Sequence, residues 1–469
     1  MRPCPMPPQA LPPQLPRLGL LLLLALLLML PVKASAAQGG PPPALRDAIS
    51  AVEAMLGGTD EASLSAFAEQ RLAPAYRARL GEGATAHLRA LREAAREALG
   101  DVAVEMEEDG LHLVISDTRF ADYRLAIDDA GLLTALELVK SGVAVVPAAP
   151  ALTWESLPGA LREAEARGFS GVVSATRDGR PVLRQAYGLA DRERRRATKL
   201  DTIYGIGSAP IDFTVTATYL LVQRGRLSLD DRIGKFIPGV PADRSAMTIG
   251  HLLGGRSGLP DFPAQESDWD ADLAWIDRDT FVARVMAQPL LFAPGTASAH
   301  SHGAYGLLAA IIELATGERY RDFIQREILD VAGMRRTGFY GDRKEFSLDD
   351  FAVGYGPSSV GLPNIPPNWG PTSWLVMGSG GMYSTLEDMQ RFHDAISAGR
   401  ILRDPWRAEQ AGPRVGVDGS DRGYHHFHAF DGKGNRIELL MNGEGRTEQM
   451  RALQRAMEQL VEPPPRGGP

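Results

Sequence analysis

The sequence predicts an α+β protein in two unequal units behind an apolar leader. Three observations carry this. Residues 44–140 begin with apolar residues at helical spacing and then switch to a period of two, the order of an α+β unit. A proline-bearing apolar stretch at 141–153 separates them from a longer segment, 154–461, that opens strand, hairpin, strand, helix. The 469 residues are 44% hydrophobic and 23% charged, ordinary globular values that exclude collagen-like and wholly disordered chains.

The leader comes first. Arg2 and Arg17 flank a proline-rich start, Leu18 to Val32 is almost unbroken apolar sequence, and Ala34-Ser35-Ala36 supplies small residues for cleavage. This is the pattern of a secretory signal peptide over residues 1–37, and it predicts a secreted or periplasmic protein. An uncleaved anchor is the alternative, but the run is short for a span of about 20 residues. The single cysteine, Cys4, lies inside this leader, so the mature chain is expected to have no disulfide, thiol nucleophile or cysteine-based zinc site. The formal charge is −8, and the leader holds bases but no acids. The remainder is therefore more acidic still, which argues against nucleic acid or an anionic membrane surface as partner.

In the small unit, Leu45, Ile49, Val52 and Leu56 recur at helical spacing, and Ala84 to Leu99 is a second helix stopped by Gly100. Val102, Val104 and Met106 then alternate, Asp109-Gly110 marks a hairpin turn, and Leu111, Leu113 and Ile115 alternate again. Tyr123 to Ile127 and Leu132 to Leu138 complete a four-strand meander. In outline this unit, 44–140, resembles the cystatin/NTF2-like domains that precede some secreted hydrolases. It carries no catalytic constellation. At the other end, Pro463-Pro464-Pro465-Arg466-Gly467-Gly468-Pro469 makes 462–469 a tail disordered by composition.

The large unit supplies the motifs. In order they are Ile203-Tyr204-Gly205-Ile206-Gly207-Ser208, Thr248-Ile249-Gly250-His251-Leu252-Leu253, Ser257-Gly258-Leu259-Pro260-Asp261, Pro294-Gly295-Thr296 and Ser379-Gly380-Gly381-Met382-Tyr383-Ser384-Thr385. In that order and spacing the chain resembles the serine beta-lactamase and penicillin-binding-protein family, in its class C and esterase-like branch. The resemblance implies a beta-lactamase/transpeptidase-like fold, with an antiparallel sheet packed by terminal helices and an inserted helical lobe. The active site of that family lies between sheet and lobe.

The catalytic motifs depart from the family. Its nucleophile opens a helix in S-x-x-K, where residues i and i+3 share a face and the lysine can take part in proton transfer. Here the run is Ser208-Ala209-Pro210-Ile211, and none of the six lysines has a serine three positions before it. The family's Y-x-N, a few residues after P-G-T, becomes His300-Ser301-His302. Its third motif, K-T-G or H-x-G, falls before Gly423-Tyr424, on Val417-Asp418-Gly419 or on Arg414-Val415-Gly416. Ser208 and His300 are therefore the catalytic candidates, and His302, Gly419 and Tyr424 the substrate-binding ones. Ser208 also reads as a helix cap ahead of Pro210 and Asp212. Asp212 is a weak base at its usual pKa and reads as a partner of the helix dipole.

His300-x-His302 and His426-x-His428 are both i, i+2 pairs, which on a strand point to one side. Neither has an acidic partner at a fixed spacing and there is no H-E-x-x-H, so no metal or other cofactor is expected. G-x-S-x-G and P-loop patterns are absent as well.

Two functional readings follow. One is an exported, non-catalytic or very weakly active member of the family that binds a small-molecule or peptide/peptidoglycan-like ligand in its cleft. The other is an active serine hydrolase of esterase or peptidase type, with Ser208 as nucleophile and His300 as base. Three motifs altered together favour the first.

Overall fold

A computed structural model describes residues 43–461, apart from short segments at 58–61, 99–100, 108–109, 117–118, 144–151, 266, 343, 357–358, 413 and 444–447. The expected leader, most of the linker, the tail and Asp109 of the first hairpin lie outside the described residues.

The small unit starts with four helices, α1 (Pro43–Gly57), α2 (Ala62–Arg71), α3 (Pro74–Leu80) and α4 (Ala84–Ala98). Four antiparallel strands follow in sequence order: β1 (Asp101–Glu107), β2 (Gly110–Ser116), β3 (Arg119–Ile127) and β4 (Leu133–Val143). Strand β4 runs to Val143, past the point where the linker was expected, because Lys140, Ser141 and Val143 still pair with β3. Alternation puts Leu113, Ile115, Ala121, Tyr123 and Leu125 in a core with Leu88, Leu91 and Ala95 of α4. The two large phenols in this core stay satisfied: Tyr123 donates to Leu91 O (2.9 Å) and Tyr76 to Leu136 O (2.8 Å).

The large unit is built on a five-stranded antiparallel sheet. Helix α5 (Leu157–Ala166) leads into β5 (Gly171–Arg177) and β6 (Arg180–Tyr187). A two-residue strand, β7 (Tyr204–Gly205), then enters helix α6 (Pro210–Gln223). The helical lobe follows, with α7 (Arg278–Ala287) and α8 (His302–Thr316) as its longest members. Next come β8 (Gly338–Phe339), β9 (Met382–Ser384) and α9 (Leu386–Ser397). The chain returns to the sheet through β10 (Arg414–Asp421), β11 (Tyr424–Phe430) and β12 (Arg436–Met441), and closes with α10 (Glu448–Val461). The sheet order is β10-β11-β12-β5-β6, so both ends of the unit meet in its middle.

Period-two sequence decides which face each strand residue covers. Val173, Ala175, Leu439, Ile437, Phe427 and Ala429 pack with Leu157 and Leu161 of α5 and Met457 and Val461 of α10. Their sequence neighbours Val172 and Leu440 belong instead to the core shared with α6, α8 and α9. Helix α8 buries Leu307 through Ile312 without a break, the signature of a helix enclosed on all sides. Strands β8, β9 and β7 form a second, three-stranded sheet. That small sheet holds the start of α6 in place, with Ile206 N donating to Met382 O at 3.2 Å.

Candidate active site

Ser208 stands in the turn between β7 and α6. Gly207, with φ of +50°, makes that turn, and the sheet's edge strand β10 lies directly on it. A Cβ at Gly207 would fall 2.5 Å from the Ser420 nitrogen, and one at Gly419 would fall 2.5 Å from the Ser208 nitrogen. Glycine is required at both positions for this approach. Of the two registers open for the third motif, Val417-Asp418-Gly419 is the one whose glycine touches the nucleophile turn. Arg414 is five residues farther back on the strand.

The Ser208 side chain does not cap α6. The cap position is Ala209, without a side-chain hydrogen bond, and Pro210 opens the first turn as expected. The Ser208 hydroxyl instead meets His302 Nε2 at 3.1 Å. The imidazole on the serine is thus that of His302, which the sequence assigned to substrate binding, and not that of His300. The reason is local. His302 is the first residue of α8, and Ser301 caps that helix by accepting from Ala304 N (3.1 Å) while donating to Pro260 O (2.6 Å). Gly303 N donates to Asp261 O (2.6 Å), so the Pro260-Asp261 loop is fastened to the helix start by backbone as well.

That loop brings in a third group. Asp261 Oδ1 lies 2.7 Å from His302 Nδ1 and also accepts from His302 N at 2.9 Å. An ionised carboxylate only accepts, which assigns the proton to Nδ1 and leaves Nε2 as acceptor for the serine hydroxyl. Burial alone would raise the Asp261 carboxyl. The ring hydrogen bond from His302, the imidazole's charge and the backbone N–H outweigh it and hold Asp261 below the usual carboxylate range. Phe262 stacks on the His302 ring, centroids 4.2 Å apart and planes 15° from parallel. Serine, histidine and aspartate form one continuous chain, and the ring between them is fixed on its face and at both nitrogens.

His300 stands edge-on to His302, with centroids 4.6 Å apart. Burial, then the neighbouring His302 charge, lower its pKa. Tyr305, one turn along α8, lies 6.0 Å from the His300 ring, and burial followed by the Asp212 charge pushes its phenol up. Tyr424, expected in substrate binding, is a core residue. It is 1% exposed, and its hydroxyl donates to Ala352 O (2.6 Å), with Asn364 O also within reach at 2.9 Å. Its ring lies against Gly205 and supports the floor beneath β7. Beyond Gly419 the hairpin ends in Asp421 and Arg422, where Arg422 pairs with Asp270 and with Asp272 (3.3 Å) of the lobe.

Asp261 was the residue that sequence reasoning passed over. It closes the Ser257-Gly258-Leu259-Pro260-Asp261 motif, which served there only as a family marker. Nothing in linear spacing joins position 261 to 302.

Comparison with known proteins decides the family. The Beta-lactamase family model matches residues 157–443. The chain belongs to the beta-lactamase family. It is 30% identical to esterase EstB of Burkholderia gladioli over 313 residues, 58% of this chain and 77% of the esterase. It is 31% identical to penicillin-binding protein 4* of Bacillus subtilis (strain 168) over 238 residues, 49% of this chain and 52% of that protein. The chain thus spans about half the length of this second relative. Among solved structures, a beta-lactamase/D-alanine carboxypeptidase from Pseudomonas syringae matches with a TM-score of 0.54 at 18% identity, covering 66% of this chain and 99% of the other. That likeness carries the fold. The family match starts at residue 157 and leaves the small unit outside it. Among the described residues no helix is long and apolar enough to cross a membrane.

Proposed function

We propose that this beta-lactamase-family protein is an active serine hydrolase of esterase or peptidase type, with Ser208 as nucleophile, His302 as general base and acid, and Asp261 as the group that orients His302. The observation that carries this is the unbroken chain from Ser208 Oγ through His302 to Asp261. The family's lysine is replaced by Ile211, and in this reading its proton-transfer task falls to His302. His302 Nε2 takes the hydroxyl proton as Ser208 Oγ attacks an ester or amide carbonyl. The N–H groups of Ser208 and Ser420, brought together by Gly207 and Gly419, receive the developing oxyanion. His302 then gives its proton to the leaving alcohol or amine. Water, deprotonated by the same imidazole, attacks the acyl carbonyl, and the imidazole returns that proton to Ser208 Oγ as the acid leaves. The ligand is a small molecule or a peptide/peptidoglycan-like peptide, bound in the cleft after export and removal of the leader. N-terminal sequencing of protein from the producing cell tests the export part of this reading.

The loss of the S-x-x-K lysine supports the competing reading of a non-catalytic cleft, and one experiment separates the two. Intact protein is treated with a fluorophosphonate and its mass measured. The expected result is one equivalent of adduct on wild type, none on Ser208→Ala, much slower addition on His302→Ala and continued addition on His300→Ala. Wild-type protein that stays unmodified would return the cleft to the non-catalytic reading.

A further inference from the structure

We propose that Asp261, His300 and His302 form a binding site for a divalent transition metal, zinc foremost, and that filling it disarms Ser208. Among the described residues this is the group of His, Cys, Asp and Glu side chains whose donor atoms all lie within 4.8 Å of one another. The H-x-H pair lacks an acidic partner in sequence; the fold supplies one from the Pro260-Asp261 loop. Two imidazole nitrogens and a carboxylate oxygen are a zinc donor set, with a fourth position left for water. Tetrahedral bonds of about 2.0–2.1 Å place donors roughly 3.3 Å apart, so the side chains must close in slightly. The movement falls to the exposed His300, since Asp261 and the His302 ring already hold each other at 2.7 Å.

The consequence for the serine follows from the number of nitrogens on one ring. Both nitrogens of His302 are already engaged, Nε2 with Ser208 Oγ and Nδ1 with Asp261 Oδ1. A metal that uses His302 must take one of them. Taking Nε2 removes the base from the hydroxyl. Taking Nδ1 leaves the neutral ring's one proton on Nε2, which then donates to the serine hydroxyl instead of accepting its proton, and breaks the hydrogen bond to Asp261. Metal binding and serine activation therefore exclude each other whichever nitrogen is used. The metal site itself stands apart from the hydrolase reading; the disarming of Ser208 rests on it.

The test uses the full chain freed of metal with a chelator. Zinc binding is measured by calorimetry, Co²⁺ binding by its visible absorption, and the rate of fluorophosphonate addition across the same titration. One metal per chain is expected. Affinity should fall by at least about tenfold in His300→Ala and in the size-conserving His300→Gln, as for loss of any group that holds a metal ligand set together. Labelling of wild type should fall at the same midpoint as metal binding, while labelling of His300→Ala becomes insensitive to zinc in that range. Binding that is absent, or unchanged by both His300 substitutions, overturns the site. Saturating zinc that leaves the wild-type labelling rate intact overturns the exclusion. Wild type that never labels but still binds Co²⁺ through His300 keeps the site and refutes the hydrolase reading alone.

Discussion

The chain contains two H-x-H pairs, and the fold puts them to opposite uses. His300 and His302 straddle a helix start, where Ser301 caps α8 and turns the second ring toward Ser208. His426 and His428 lie on β11, an inner strand of the sheet whose residues are buried on both faces. Their acid is Glu438, directly opposite His428 on β12, with His426 Nε2 3.2 Å from its Oε1 and both side chains fully buried. In each region histidine holds a carboxylate below its ordinary range against the opposing effect of burial: Asp261 through His302, and Glu438 through the His426 hydrogen bond and then the His393 charge. What differs is access. Asp261 is 53% exposed on its side chain and Glu438 is not exposed at all. The same spacing and the same histidine–carboxylate contact therefore stand at a cleft serine in one place and inside a closed sheet in the other, because only the first reaches solvent and a hydroxyl.

The sharpest way to break this comparison is to remove one histidine from each region. His302→Ala should lower the rate of fluorophosphonate addition by about 10²–10⁴-fold, the usual worth of positioned proton transfer. Its melting temperature should fall less than in the sheet variant, since Asp261, left without the ring, is still 53% exposed to water. His426→Ala should do the reverse. Leaving a buried carboxylate without its hydrogen-bond partner costs about 1–3 kcal/mol or more, readable as a lower urea midpoint, while protein that remains folded labels at a rate near wild type. Both effects appearing in the same variant would show that the two regions are one coupled network.

Much of the fold was legible because it is written in short periods. Val172 and Val173 announce opposite faces of a sheet, and the apolar run of α8 announces a buried helix. Gly207 stands in a family motif and Gly419 in one of the two registers open for the third, and their contact explains both. The site was only partly legible. Ser208 could be read from its place before α6, but whether His300 or His302 faces it depends on which residue begins a helix, and boundaries of that kind are set by capping contacts. Ser301 Oγ bonds both Ala304 and Pro260, a loop that is 41 residues away in sequence. Asp261 escaped for the same reason. Tyr424 was misplaced because an aromatic beside a motif glycine looks the same in sequence whether it lines the cleft or supports its floor.

A second test asks whether His302 works alone in the cleft. Ile211 is half-buried in the first turn of α6, three residues after Ser208. Ile211→Lys restores the family's residue type. A half-buried site lets the ammonium reach water along its apolar stem, so the variant should fold with a loss of about 1–2 kcal/mol or less. If proton transfer belongs to His302, the labelling rate should stay within a few-fold of wild type, and the double variant Ile211→Lys with His302→Ala should remain as slow as His302→Ala. Recovery of labelling in the double variant would show that lysine can still be used here, and would weaken the contrast between a histidine-run cleft and a histidine-filled sheet.

The last comparison concerns a third carboxylate, one without a histidine hydrogen bond. Asp421 is 16% exposed on its side chain, accepts from the Tyr340 hydroxyl at 2.8 Å, and neighbours Asp270, Asp272 and Arg422. Burial, and after it the Asp272 charge, raise its pKa to about 7, and the Arg422 charge only partly offsets them. This is the opposite direction to Asp261 and Glu438, and the sign of its pH dependence is opposite too. An ordinary aspartate in the unfolded chain titrates near about 3.9. The folded state holds the Asp421 proton more tightly, so this stabilising contribution is fully present below about pH 4 and is lost as pH rises through about 7. Asn at this position stays neutral and still accepts from Tyr340. The melting temperature of Asp421→Asn relative to wild type should therefore climb between pH 5 and pH 8, by roughly 2–4 °C for each 1 kcal/mol gained. Asp261 and Glu438 are common to both proteins and cancel in the difference. An offset that stays flat over this range would mean that Arg422 keeps Asp421 ionised, and that a guanidinium can do for a buried carboxylate here what the histidines do elsewhere in the molecule.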